Sequence, residues 1–225
     1  NVAIFLFLQP SSLQRGEADI GSLSEEETRE LAEHYAAWGA VPCEISAWES
    51  RADGARCTSD AERPIIDRKP VPASLVTSMF LHGGLAHLGV NMLFLWVFGA
   101  AVEDRLGPGP FLALYLIGGL AGTLTYVAVA SGSAAPVVGA SGAVSAVMGA
   151  YLAIGPRRRI YSLVAPLPLV AISVPAWALI GPYLVGQLVT PDDTAVAWQA
   201  HVGGIVAGFL LALLARWLVP GPGRF

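Results

Sequence analysis

Residues 139–159 read GASGAVSAVMGAYLAIGPRRR, with Ser141 at the head of an apolar run. Three further polar side chains stand in apolar company: His87 and Asn91 in HGGLAHLGVN, and His201 in AWQAHVGG. A serine hydroxyl becomes a nucleophile when a base within hydrogen-bond reach takes its proton, and a histidine, titrating near neutrality, suits that task. Attack on a peptide carbonyl creates an oxyanion, which needs fixed donors. The Asn91 amide, a ring N–H of His87 and the Ser141 backbone N–H at a helix start can supply them. No acid falls at the same depth to orient the base, so the pattern predicts a Ser141–His201 dyad rather than a triad. The G-x-S-x-G elbow of soluble hydrolases is not met, because residue 143 is alanine.

The surrounding composition is that of a membrane protein. Charged residues make up 13% of the chain and hydrophobic ones 54%, against about 25% charged in a soluble domain. Five stretches can span a bilayer, which takes roughly 20 apolar residues: about 83–102, 110–130, 140–155, 171–189 and 198–219. A sixth is implied by NVAIFLFL at the start, which reads as the end of a truncated first span. Residues 9–73 carry seven basic and thirteen acidic residues and form a polar insertion between spans 1 and 2. Arg105, Arg157–Arg159, Arg216 and Arg224 lie at alternate span ends, whereas the loops around 131–138 and 190–197 lack Lys and Arg and the second holds Asp192 and Asp193. The basic ends therefore face the cytoplasm, and 9–73 is expected outside. Within it, SEEETRELAEHYAAWG reads as a helix with a Ser24/Glu27 capping box, and Leu31, Tyr35 and Trp38 share one face.

This topology puts the polar residues at one height. Asn91, Ser141 and His201 precede the next cytoplasmic arginine by 14, 16 and 15 residues, about 21–24 Å of helix. All three thus sit roughly 6–9 Å below the outer edge of a ~30 Å core. His87 lies one turn above Asn91 on the same face. A single such residue is readily explained by packing. Four at one depth on three helices point to a shared site, since polar groups inside a span are costly. Small residues recur every fourth position, at Ser141, Ser145 and Gly149 and at Ala200, Gly204 and Gly208. Such stripes let two helices approach closely and would bring His201 beside Ser141.

Taken in order, HGGLAHLGVN, VEDRLG, GASG and AHVGG resemble the rhomboid family of intramembrane serine proteases, and the resemblance covers nearly the whole chain. It implies an all-α membrane protein: a six-transmembrane-helix rhomboid bundle comprising residues 1–225 as one domain, with 9–73 as its extracytoplasmic loop. It implies Ser141 as nucleophile within the motif that includes Gly139 and Gly142, His201 as base, and His87 and Asn91 as oxyanion donors. His82 matches the family's first histidine, in a supporting role, and Glu103 and Arg105 match a structural pair at the inner end of span 2. Many members carry a Trp-Arg pair about nine residues before the first histidine; here the position reads Ala73-Ser74.

The expected activity is endopeptidase cleavage of single-span membrane proteins near the outer face, in a bacterial inner membrane with the site opening outward. The partners expected are such substrates and the lipid bilayer, with no nucleic acid, cofactor or metal. The rival function is a non-proteolytic rhomboid-like module that binds or transports membrane segments; transporters show broken helices in matched halves, and no such pairing is found. Cys43 and Cys57, the two cysteines, both fall in the outer loop. An oxidising periplasm favours a disulfide between them. Free thiols and a metal site are the alternatives, the second disfavoured because only His34 lies nearby.

Overall fold

The structure is a computed structural model and describes residues 1–14, 24–51, 54, 57, 66, 69–164, 167–191 and 196–218. Asp192, Asp193 and Arg224, used above for orientation, lie outside the described residues. Helix α1 (Val2–Leu8) is followed by a short 3-10 turn at Ser11–Gln14. The polar insertion contributes α2 (Glu25–Trp38), α3 (Pro42–Ala47) and α4 (Val71–Thr77), with a second 3-10 turn at Ser78–Phe80. Then come α5 (Leu85–Leu106), α6 (Pro108–Val129), α7 (Ser141–Ile154), α8 (Ala176–Leu188) and α9 (Trp198–Leu218). Helices α5, α6 and α9 are long and apolar enough to cross a membrane.

Helix α7 is the centre of the bundle. Every residue from Gly142 to Tyr151 is buried, as expected of a helix that is apolar all round. Its 14 residues span only about 21 Å, less than a bilayer core of about 30 Å. Its small-residue stripe meets that of α9. A Cβ added at Gly204 or Gly208 would run into the carbonyl oxygens of Gly142 and Ala146, and one at Gly149 into that of Ile205. Nothing larger than glycine fits this contact without moving a backbone.

One expectation is corrected. Residues 171–175, assigned above to the fifth span, are strand, and the fold is mostly rather than wholly α-helical. An antiparallel hairpin joins α7 to α8, formed by β1 (Arg159–Val164) and β2 (Leu167–Pro175), with Arg159 opposite Pro175 and Leu163 opposite Ala171. The β-branched Ile172 and Val174 favour strand. Pro175, which cannot continue a helix interior, instead caps α8. Arg159 donates to the Ser173 hydroxyl and carbonyl at 2.8 and 2.6 Å, closing the hairpin at its α8 end.

The insertion packs against the chain leading into α5 and α7. Ser24 and Glu27 form the capping box of α2. Leu31 on its inner face is buried, while Trp38 is half exposed. Cys43 and Cys57 are joined by a disulfide, with Cα atoms 5.3 Å apart. Lys69 and Glu44 form a buried ion pair at 2.8 Å, and the same ammonium donates to the Gly39 carbonyl. Burial pushes the Lys69 ammonium below its ordinary range, and Glu44 opposes that. This unit grips the chain leading into α7. Ala40 exchanges both backbone hydrogen bonds with Val137, and the Cys43 amide donates to the Ser133 carbonyl.

Candidate active site

The loop between α6 and α7 enters the site through Gly139, whose φ of +129° is one that L side chains rarely adopt. Its amide donates to the Ser78 carbonyl at 2.9 Å. This sharp turn delivers Ser141 as the first residue of α7. The first amides of a helix lack intrahelical acceptors, and Ser141 supplies one of them at the start of α7. No side-chain cap occupies that end.

His201 lies in the first turn of α9, and the glycine contact described above brings that turn against α7. Its Nε2 is 2.8 Å from Ser141 Oγ. The other ring nitrogen, Nδ1, is 2.6 Å from Gln187 Oε1 on α8. The Gln187 oxygen that faces Nδ1 only accepts, so the Nδ1–H tautomer satisfies both contacts, with an Nε2 lone pair toward the serine hydroxyl. The Tyr183 ring lies beside the imidazole, with centroids 6.2 Å apart and planes tilted by 33°.

His87 is set by α5. The Gly83 amide donates to its Nδ1 at 3.1 Å, which leaves the proton on Nε2. That N–H faces Gly139: a Cβ there would sit 3.0 Å from His87 Nε2 and 3.7 Å from Ser141 Oγ. Asn91, one turn on, is buried and donates through Nδ2 to the His87 carbonyl at 2.8 Å. His82 stands behind His87, ring edge against ring at 5.4 Å. Its backbone is clamped: Gln9 both donates to its carbonyl and accepts from its amide at 2.9 Å, and the Tyr35 hydroxyl donates to the same carbonyl. Burial pushes the Tyr35 phenol above its ordinary range, so it stays a donor.

Ser141, His201, His87 and Asn91 all line one cavity of about 830 Å³, together with the apolar Met79, Phe94 and Met148. Among the described residues no Asp or Glu lines it. His82 is not in its wall. Gly139, Gly142 and Ala200 are, and Gly204 lies one turn below at the α7 contact. Glu103 and Arg105 sit in the last turn of α5, about 24 Å along the helix from His87, and take no part in the site. The sequence reading missed Gln187 and Tyr183. Its own criterion, a polar side chain in an apolar run, applies to Gln187 in YLVGQLV.

A hydroxyl hydrogen-bonded to an imidazole with its lone pair free, facing further N–H donors across a cavity, can carry out acyl transfer. Comparison with known proteins bears on the stretch of chain that contains these residues. The Rhomboid domain matches residues 71–218. The chain is 48% identical over 50 residues to rhomboid protease GluP of Bacillus subtilis, covering 22% of this chain and 10% of that protein. It is 30% identical over 172 residues to the mitochondrial RHOMBOID-like protein 12 of Arabidopsis thaliana, covering 68% and 47%. With rhomboid protease GlpG of Serratia proteamaculans it shares 33% over 142 residues, covering 61% and 46%. The chain thus spans about half or less of the length of these relatives. With a family domain matched from α4 to the end of α9, the chain belongs to the rhomboid family of membrane proteins, which includes serine proteases.

Proposed function

We propose that this protein is a serine endopeptidase that cleaves membrane-protein substrates within the bilayer, near its outer face. The observation that carries the reading is the 2.8 Å contact between His201 Nε2 and Ser141 Oγ at the wall of the cavity. In this reading His201 takes the hydroxyl proton as Ser141 attacks the scissile carbonyl. The Ser141 amide, the His87 Nε2–H and the Asn91 amide receive the oxyanion. Asn91 must turn from the His87 carbonyl to do so. His201 then protonates the leaving amine, and a water activated by the same imidazole releases the acyl group.

The finer readings belong here too. Residues 1–225 act as one domain with 9–73 as its outer loop. Helices α1 and α5–α9 make six crossings, of which α7 and α8 are short. The substrates are single-span proteins, and the membrane is a bacterial inner membrane with the cavity opening outward. Relatives from mitochondria and chloroplasts make the organelle membranes the competing location. Support for the outward opening comes from the insertion, whose disulfide suits an oxidising compartment.

The test is activity-based labelling with a fluorophosphonate, together with cleavage of a single-span reporter and N-terminal sequencing of the product. Wild type is expected to label at Ser141 and to cut. Ser141→Ala and His201→Ala should each do neither while remaining folded in the membrane. Cleavage by purified Ser141→Ala would sink this mechanism and leave the non-proteolytic module as the reading.

A further inference from the structure

We propose that Gln187 is a positioning residue for the base: its amide holds His201 in the tautomer and ring orientation that Ser141 needs. The proposal rests on the Ser141–His201 reading and deepens it.

A neutral imidazole carries one proton on either of two nitrogens. Only the Nδ1–H form leaves Nε2 able to accept from a hydroxyl. Some group must select that form, and in hydrolases of this chemistry it is a third side chain that orients the base. Among the described residues lining the cavity no carboxylate is available. Gln187 Oε1, at 2.6 Å from His201 Nδ1, is placed to do it.

Helix α8 is built for this contact. Tyr183 and Gln187 are four residues apart and so share one face. The Tyr183 ring lies beside the imidazole, with centroids 6.2 Å apart, and Gln187 meets its Nδ1 edge. The hydrogen bond restricts the spin of the ring. The Tyr183 hydroxyl is also 3.5 Å from the Ser145 hydroxyl of α7, one turn below Ser141. An amide in an apolar run costs free energy unless it is hydrogen-bonded. The site thereby gains an acceptor without bringing a second charge into a low-dielectric region, where an ion pair is costly to bury.

The experiment uses the purified full chain reconstituted with a single-span reporter, comparing wild type, Gln187→Met and Gln187→Glu. Methionine keeps the unbranched shape and removes the amide. Its kcat is expected to fall about 10- to 100-fold with KM within about twofold, because the lost contact acts on the chemical step. Glutamate can only accept, so it should retain at least about a third of wild-type kcat. Its carboxylate should also hold the proton on the imidazole more firmly, moving the acid limb of the kcat–pH profile upward by about one pH unit. A purely structural role would leave that limb in place. The proposal is overturned if Gln187→Met cleaves at the wild-type rate, or if Gln187→Glu shows an unmoved acid limb. Should Gln187→Met fail to fold, the profile of Gln187→Glu decides alone. Failure of the protease reading looks different: wild type itself would neither label nor cut.

Discussion

Replacing Gly122 by alanine adds one methyl group where α6 meets α9. A Cβ there would lie 2.6 Å from the Ala200 carbonyl oxygen and 3.4 Å from Gly142 Cα. An ordinary C···O contact is about 3.3 Å or longer, so α6 and α9 must separate by at least about 0.7 Å. Ala200 immediately precedes His201, and Gly142 immediately follows Ser141. Passed on to the base, the displacement would stretch the 2.8 Å contact to roughly 3.5 Å, the limit of a hydrogen bond. Misplacement by about 1 Å can lower a rate about 100-fold, so kcat is expected to fall between about tenfold and 100-fold. Overpacking costs about 1–3 kcal/mol, offset by about 1 kcal/mol of better helix propensity. The net loss of stability is therefore about 0–2 kcal/mol. Initial rates of reporter cleavage and thermal melting read both quantities. Gly89→Ala is the control: it lies in α5 between His87 and Asn91, and its Cβ would meet nothing within 4 Å. A Gly122→Ala protein that cleaves as fast as Gly89→Ala would refute the claim that close helix approach sets the Ser141–His201 distance.

Gly139→Ala combines a φ of +129° with a Cβ 2.9 Å from His87 Cε1; backbone strain of about 1–3 kcal/mol and a displaced donor should lower both melting temperature and labelling rate, which a fluorophosphonate time course will show. Removing a single oxyanion donor costs about 10²–10³ in rate, so Asn91→Ala and His87→Ala should each be impaired but less than Ser141→Ala. Wild-type rates in the double variant would remove both from the site. Cys43→Ser opens a disulfide around thirteen intervening residues, worth about 3 kcal/mol in the chain-entropy account. The melting temperature should fall while labelling of Ser141 persists, and mass spectrometry of unreduced, alkylated wild type should find neither cysteine modified.

Much of the site could be read from the chain because its residues sit at the starts of α5, α7 and α9. Distance along each apolar run to the next arginine predicted a common level for them, and the structure brings them to one cavity. The capping box of α2 was equally local, needing only Ser24 and Glu27. What escaped depended on partners far away in sequence. Gln187 and Tyr183 gain meaning only when α8 is laid against His201, and nothing in YLVGQLV announces that neighbour. The hairpin escaped for another reason: LVAPLPLVAISVP is as apolar as a span. Hydropathy alone cannot separate a buried helix from a strand, although its prolines and β-branched residues were a signal against helix. Lys69 and Glu44 read as two more charges in a polar loop, since burial is a tertiary property.

That last pair constrains how the protein can change over generations. Lys69 and Glu44 are both shielded from water, and losing one partner of such a pair costs about 3–5 kcal/mol, while replacing both by apolar residues of similar volume is often neutral. A lineage cannot readily discard either charge alone. The two positions are expected to be inherited together or exchanged together, by way of an intermediate that some earlier stabilising substitution has made tolerable. Because the same lysine holds the Gly39 carbonyl, and the neighbouring Ala40 pairs with Val137 in the segment that leads to Gly139 and Ser141, the pace at which the insertion diversifies is tied to the residues proposed to carry the chemistry.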